Sequence, residues 1–173
     1  MINYATRLPP GKEVELLDSG LIRKTERWCE KDNYDFMKSV INHFIKYQDP
    51  MVVQVFAFRE LGRDRSNHYI YSYDMERCGI LSTQERALIN TVGDLWDKFQ
   101  RAACERGAHE LESYRRQLPK LYEFLSTVIE QDRYLDLHSG NVMMSPEGNY
   151  VLIDLEGFLR YPLNRRSNDW ILK

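Results

Sequence analysis

Arg-Tyr-Leu-Asp-Leu-His-Ser-Gly-Asn at residues 133–141, followed by Val-Leu-Ile-Asp-Leu-Glu-Gly at residues 151–157, is the stretch that carries the clearest chemical pattern in the chain. Asp136 and Asn141 flank a short polar loop, and Asp154 ends an apolar strand segment. The turn sequence Ser-Pro-Glu-Gly-Asn between them predicts a hairpin, whose two ends would meet. Two carboxylates and an amide oxygen at one place suit a hard divalent cation such as Mg²⁺.

The composition is that of an ordinary globular protein. Of the 173 residues, 43% are hydrophobic, 12% aromatic and 29% charged, which argues against a disordered tail or a fibre. The formal net charge of −2 provides no overall attraction to nucleic acid or to an anionic membrane, so neither is expected as a partner.

The sequence also indicates where the protein works. The first residues lack the apolar core of a signal peptide, and no segment approaches the roughly 18 consecutive apolar residues of a membrane span. Cys29, Cys78 and Cys104 are widely spaced and form no Cys-x-x-Cys motif, which favours a reducing compartment. We therefore expect a cytoplasmic protein.

The first half of the chain predicts short strands around one helix. Apolar residues recur at helical spacing over 34–47, and Asp49-Pro50 is expected to end that helix. Met-Val-Val-Gln-Val-Phe-Ala-Phe at 51–58 is the strongest strand signal, and the polar segment 61–67 reads as a loop. The predicted strands are 13–17, 21–26, 51–58 and 68–73.

The second half predicts mainly helix. Ser82 and Glu85 have the spacing of a capping box, and a second helix is expected over 109–131, with Pro119 kinking or breaking it. Strands are predicted at 141–144 and 150–154. The pattern gives an α+β protein with two parts, a sheet-plus-helix domain at 1–76 and a mostly helical domain at 77–173.

The spacing of the polar residues resembles that of a known family. Asn141 lies five residues after Asp136, and Asp154 lies thirteen residues after Asn141, as in the catalytic loop and metal-binding motif of the protein-kinase-like phosphotransferases. Asp-Leu-His-Ser-Gly-Asn is also similar to the loop of aminoglycoside, choline and related small-molecule kinases, and to that of phage-encoded serine/threonine kinases. The resemblance is specific over 119–157 and architectural elsewhere. It implies a bilobal, minimal protein-kinase-like fold, with a small N-lobe and a mostly helical C-lobe carrying the catalytic-loop hairpin.

The resemblance also implies roles for residues of the loop. Asp136 would be the catalytic base or orient the acceptor hydroxyl, and His138 would lie near the transferred phosphoryl group. Asn141 and Asp154 would hold Mg²⁺ on the phosphates of ATP, and Glu156, in Asp-Leu-Glu-Gly, would be a further metal ligand.

Nucleotide-binding residues are implied in the N-lobe. A lysine is expected on the third strand of the N-lobe, with Lys24 as first choice and Lys12 as second. The hinge segment Asp74, Met75 and Glu76 would offer backbone groups to adenine.

The chain also departs from the family pattern. It has no Gly-x-Gly-x-x-Gly, and Pro-Pro-Gly-Lys at 9–12 is the only candidate phosphate loop. The lysine's acidic partner should come from the following helix, where Glu30, Asp32 and Asp35 are near but none falls inside the apolar stripe. Only 16 residues follow Gly157, so a minimal form or a fragment is expected.

These departures leave two functions open. The first is an ATP- and Mg²⁺-dependent kinase acting on a hydroxyl of a protein or a small molecule. The second is a catalytically weak or inactive pseudokinase that binds and modulates a partner protein. A phage origin and a host-protein partner would fit either function.

Overall fold

The computed structural model describes residues 12–99, 111–131, 134 and 136–158. The chain divides into two compact units, one formed by Met1–Asp49 and Val53–Arg77 and the other by Pro50–Val52 and Cys78–Lys173. The predicted α+β class is confirmed, with a four-stranded antiparallel sheet and several helices. None of the described helices combines the length and the apolar character that crossing a lipid bilayer requires.

The first unit is one sheet with one long helix. Its sheet has the strand order β1-β2-β4-β3, and each neighbouring pair is antiparallel. The elements are β1 (Glu13–Leu16), β2 (Ile22–Trp28), α1 (Lys31–Lys46), β3 (Val55–Arg63) and β4 (Tyr69–Met75).

Helix α1 covers one face of this sheet. Its buried residues repeat at three- and four-residue intervals and form a single stripe. The Tyr34 ring lies against the rings of Tyr69 and Tyr71, with centroid separations of 4.9 and 5.9 Å. The stripe consists of Tyr34, Met37, Val40, Ile41 and Phe44.

The prediction of a strand over 51–58 is wrong in its bounds. The β3 strand begins at Val55 and continues to Arg63, three residues into the predicted loop. Met51 and Val52 instead belong to the second unit, where the Leu152 amide donates to the Met51 carbonyl over 2.9 Å and Val52 forms a parallel bridge to Leu152. The apolar segment 51–58 therefore contributes to two separate strand pairings, one in each unit.

The second unit packs helices against a small hairpin. The predicted break before Pro119 is confirmed, since residues 111–114 are helical, 115–118 form a turn, and the next helix begins at Pro119. The predicted capping box is present, with Ser82 N–H donating to Glu85 Oε2 over 2.7 Å. The elements are α2 (Thr83–Phe99), α3 (Pro119–Gln131), β5 (Val142–Met144), β6 (Tyr150–Leu152) and a 3₁₀ helix (Leu155–Phe158).

Candidate functional site

The loop that precedes β5 is held by the side chain of Asn141. This residue is 5% exposed, and its Nδ2 donates to the backbone oxygen of Asp136 over 2.9 Å and to Asp136 Oδ2 over 3.2 Å. Because the amide nitrogen is committed to Asp136, the orientation of the amide is fixed and its Oδ1 atom is the acceptor oxygen it can offer to a cation.

The hairpin brings the start of the second motif beside this loop. Ile153 N–H donates to the Asn141 carbonyl over 3.0 Å, which places Asp154 one residue beyond a backbone contact with Asn141. The Asp154 backbone oxygen accepts from the Tyr134 hydroxyl over 2.9 Å, and its Oδ1 accepts from Glu156 N–H over 3.3 Å. Asp154 is therefore held through both its backbone oxygen and its carboxylate.

His138 has a defined orientation within the loop. Its Nδ1 accepts from Gly140 N–H over 3.0 Å, and its Nε2 lies 3.9 Å from Asp136 Oδ2. An Nδ1 atom that accepts carries no proton, so the hydrogen-bond pattern assigns the proton of the neutral ring to Nε2. The protonated nitrogen thus faces the Asp136 carboxylate.

Helix α2 supports the loop through two residues that the sequence interpretation did not identify. Asn90 Oδ1 accepts from Ser139 N–H over 2.7 Å. A Cβ atom at Gly93 would lie 1.8 Å from the Leu137 carbonyl oxygen, so glycine permits this close approach of helix and loop. A glycine within an apolar-periodic helix is the signal that could have indicated a tight backbone contact.

A similar contact fixes the end of the second motif. A Cβ atom at Gly157 would lie 2.2 Å from the Tyr134 ring, and Tyr134 itself is 1% exposed. The glycine in Asp-Leu-Glu-Gly therefore provides space for the ring whose hydroxyl holds the Asp154 carbonyl.

The residues predicted to bind Mg²⁺ carry oxygen atoms, the donors that this ion prefers. Asn141 has an amide oxygen, and Asp154 and Glu156 have carboxylates. Within the described parts of the chain, no group of three or more His, Cys, Asp or Glu side chains is arranged to hold a metal ion. The residues predicted to bind Mg²⁺ are two acids and one asparagine, so they are not a group of that composition.

In the first unit, Lys24 lies on β2, which is the second of the described strands and not the third as expected, and it is 7% exposed. Its Nζ lies 2.7 Å from Glu26 Oε1. The expectation of an acidic partner from α1 is wrong for this pair, because Glu26 belongs to the same strand and strand periodicity places both side chains on one face. The helix acids Glu30, Asp32 and Asp35 are all exposed.

The other candidate lysine lies at the beginning of the described chain. Lys12 is half-buried and immediately precedes β1. The candidate phosphate loop at 9–12 otherwise lies outside the described residues, as do Cys104 and the segment that follows Phe158.

The predicted hinge residues are tied into the sheet. Met75 is the last residue of β4 and pairs with Ile22 on β2. Glu76 N–H donates to the Gln54 carbonyl, and Glu76 Oε1 accepts from Gln54 N–H, each over 3.0 Å. Adenine contact by 74–76 stays a prediction, but the Glu76 amide is already engaged within the unit.

Asp74 makes a buried ion cluster on the sheet. It is 4% exposed, and its carboxylate accepts from Arg59 over 2.7 Å and from Arg23 over 2.8 Å. The Arg59 guanidinium, helped by that of Arg23, lowers the pKa of Asp74 to about 2 despite the opposing effect of burial. The side chain of Asp74 is therefore a structural anion within the first unit.

This cluster predicts a specific acid sensitivity. The folded pKa of Asp74 lies below the unfolded value of roughly 3.9, so the stabilisation is present above about pH 4 and lost as the pH falls towards 2. We expect Asp74→Asn to lower the free energy of unfolding by about 2 kcal/mol at neutral pH, and the difference from wild type to vanish near pH 2. Urea unfolding at stepped pH measures it. Asp18→Asn, at an exposed acid in the turn between β1 and β2, is the control, and a difference that persists at pH 2 would contradict the assignment.

A surface groove in the second unit has none of the predicted site residues in its lining. Its lining belongs to the segment 112–123 and already contains its own charge pairs, with Arg115 3.2 Å from Glu112 and the Tyr122 hydroxyl 2.8 Å from the same carboxylate. Three of the groups that line the groove are therefore paired with one another.

Compared with protein-family models and with curated proteins, the sequence matches none at a significant level.

Proposed function

We propose that this protein is an ATP- and Mg²⁺-dependent phosphotransferase with a minimal kinase-like fold, which transfers the γ-phosphoryl group to a hydroxyl. The observation that carries the proposal is the Asn141 amide, oriented by both the backbone and the carboxylate of Asp136. This contact places a potential metal ligand beside a potential proton acceptor, the pairing that phosphoryl transfer requires.

The order of elements supports the same proposal. In the first unit a strand carrying a buried lysine is followed by a helix and two further strands. In the second unit helices precede the polar loop, the hairpin and Asp154. This is the arrangement that the loop resemblance implies for a kinase-like chain.

In the proposed reaction each residue has one task. Asn141 and Asp154, with Glu156, would hold Mg²⁺, which would neutralise charge on the phosphates. The acceptor oxygen forms its bond to the γ-phosphorus as the bond from that phosphorus to the β,γ-bridging oxygen breaks, and the hydroxyl proton passes to Asp136. Nucleotide binding by Lys24 stays a prediction.

The structure gives His138 a subsidiary task. Its Nδ1 is occupied by Gly140 N–H and its Nε2 faces Asp136. In this orientation the protonated nitrogen of a neutral imidazole lies 3.9 Å from the carboxylate, beyond hydrogen-bond distance, and the ring has no nitrogen available to accept the hydroxyl proton. In the proposed reaction His138 supports the negative charge of Asp136.

One observation favours the alternative of a non-catalytic binding module. The connection from β1 to β2 is a tight turn closed by its own backbone contacts, with Gly20 N–H donating to Leu17 and Leu17 N–H donating to Leu21, each over 2.9 Å. Gly20 has a φ of 83°, which accounts for the single glycine. The amides of Leu17 and Gly20 are therefore already used to close the turn.

The proposal is tested by binding and transfer measured together. Mg²⁺-ATP at about 100 times its Kd should stabilise the folded chain by about 2.7 kcal/mol, which raises Tm by several degrees. Asp154→Asn should remove the Mg²⁺-dependent part of this rise, because it removes the charge of a ligand. Asp94→Asn, an exposed acid on α2, is the matched control and should behave as wild type.

The outcomes separate the two functions. Stabilisation by Mg²⁺-ATP together with release of inorganic phosphate or labelling of the chain supports the kinase. Stabilisation without any transfer favours the binding module. No stabilisation at millimolar Mg²⁺-ATP, or an unchanged rise in Asp154→Asn, would overturn the proposal.

A further inference from the structure

Helix α2 contains two residues that a helix interior disfavours. Asn90 and Gly93 both lie within α2, which runs from Thr83 to Phe99. Asparagine is a weak helix former, and glycine is weaker still. The two residues are three positions apart, so they lie on the same face of the helix. The stability of the helix itself therefore accounts for neither residue.

Both residues contact the loop at 136–141. Asn90 Oδ1 accepts from Ser139 N–H over 2.7 Å. Because a backbone N–H can only donate, the Asn90 amide must present its oxygen to the loop. At Gly93 a Cβ atom would lie 1.8 Å from the Leu137 carbonyl oxygen. The helix face that carries the two disfavoured residues is therefore the face that contacts the loop.

Bonds within the loop set its shape but not its place in the second unit. Asn141 N–H donates to the His138 carbonyl over 2.9 Å, and Asn141 Nδ2 donates to the Asp136 carboxylate over 3.2 Å. Each of these bonds joins two residues of the loop itself. The bond from Ser139 to Asn90 joins the middle of the loop to a separate element, so it restricts where the loop lies.

The Asn90 hydrogen bond contributes little to fold stability. Asn90 is exposed, and an intramolecular hydrogen bond that water can replace has a small net effect on the free energy of unfolding. The weak helix propensity of asparagine opposes even that effect. A residue that departs from local preference without a gain in stability is expected where function requires it.

We propose that Asn90 is a positioning residue, which holds the loop that carries Asp136 and Asn141 in place for phosphoryl transfer. This rests on the proposed function. Asn90 acts through Ser139 N–H and needs no contact with the nucleotide or the acceptor. Gly93 has a complementary part, because it lets the helix backbone come close enough for this bond to form.

The test separates a positioning role from a structural one. Asn90→Ala removes the acceptor oxygen and introduces the best helix former, so Tm should change little. We expect hydrogen exchange of the Ser139 amide to accelerate by about tenfold or more, and phosphate release at saturating Mg²⁺-ATP to slow by about tenfold. Exchange followed by NMR and a phosphate-release assay, both on the full chain, measure the two effects.

Two variants are matched controls. Asn90→Asp keeps an acceptor oxygen, so it should retain slow exchange of the Ser139 amide and a rate within about threefold of wild type at saturating Mg²⁺-ATP. Tyr150→Phe removes the hydroxyl that donates to Glu85 of α2, which is a contact of the same helix with the turn end of the hairpin. It should lower Tm and leave both the exchange and the rate unchanged.

Gly93→Ala tests the same placement with the Asn90 side chain intact. The new Cβ atom cannot lie 1.8 Å from the Leu137 carbonyl oxygen, so the loop must shift, while the helix itself gains propensity. We expect faster exchange of the Ser139 amide and a rate lowered at least as much as in Asn90→Ala. If this variant changes neither readout, α2 does not set the place of the loop.

The results distinguish the inference from the proposed function. Unchanged exchange of the Ser139 amide in Asn90→Ala overturns the positioning role, and so does an unchanged rate. A rate loss in Asn90→Asp as large as that in Asn90→Ala overturns it as well. If wild type transfers no phosphate, the proposed function fails and the role of Asn90 in the reaction fails with it, while the exchange of the Ser139 amide still decides whether Asn90 holds the loop.

Discussion

Replacing Lys24 by Met, or Glu26 by Leu, is expected to lower the free energy of unfolding by about 3–5 kcal/mol, whereas the double variant should lie within about 2 kcal/mol of wild type. Each single variant leaves one buried charge without its counter-charge, since the two groups are 2.7 Å apart and nearly inaccessible to water. The double variant removes both desolvation costs together. Urea unfolding of the four chains gives the double-mutant cycle.

The residual cost in the double variant has an identified source. Removing Glu26 leaves the Tyr71 hydroxyl without its acceptor, although that hydroxyl still accepts from Trp28. An unsatisfied buried donor costs about 1–3 kcal/mol. Adding Tyr71→Phe to the double variant should therefore recover part of the lost stability.

An exposed pair in the same unit is the control for this cycle. Lys38 and Glu60 also form an ion pair, but their side chains are 41% and 53% exposed. Replacing either should change stability by less than about 1 kcal/mol. If the effects of Lys24→Met and Glu26→Leu simply add in the double variant, the coupling free energy of the two residues is zero and the ion pair does not contribute to stability.

The sequence predicted the ladder of the hairpin well because the signals are local. A five-residue turn between two apolar segments specifies which ends meet, and the Asn141–Ile153 hydrogen bond is where they do. The capping box at Ser82 and the break at Pro119 are local in the same sense. Each of these features depends on residues that are close together in the sequence.

The error in β3 has a non-local cause. The segment 51–58 has uniform strand propensity, yet Val52 pairs with Leu152, a hundred residues away in sequence, while Val55 pairs with Met75. Propensity describes how well a residue fits an extended chain and does not specify the partner strand. The sequence of residues 51–58 alone therefore could not predict that they pair with two different strands.

The partner of Lys24 was missed for a different reason. The loop resemblance implies that the acidic partner comes from the following helix. The alternation of side chains along β2 places Glu26 on the same face as Lys24, and this period-two signal was present in the sequence. The supporting roles of Asn90 and Gly93 depend on packing between α2 and a loop more than 40 residues later, which the helix sequence alone could not specify.

Asp136→Asn is expected to lower the rate of phosphoryl transfer by about 10²–10⁴-fold while leaving the affinity for Mg²⁺-ATP nearly unchanged. Asparagine keeps an oxygen that can accept from Asn141 Nδ2, and the backbone contact from Asn141 to residue 136 does not depend on the side chain. The loop should therefore keep its shape and lose only the group that we propose accepts the hydroxyl proton. Phosphate release from Mg²⁺-ATP, with water as acceptor, measures the rate, and the shift in Tm measures binding.

The comparison with His138 decides which group accepts the proton. Since Nδ1 is occupied by Gly140 N–H and Nε2 faces Asp136, His138→Asn should reduce the rate by only about tenfold, through loss of support for the carboxylate. Glu147→Gln, an exposed acid in the hairpin turn, is the control for charge removal near the loop. A loss in His138→Asn as large as that in Asp136→Asn, with binding intact, would make the histidine the base, and the orientation of its ring in the loop would then have to reverse.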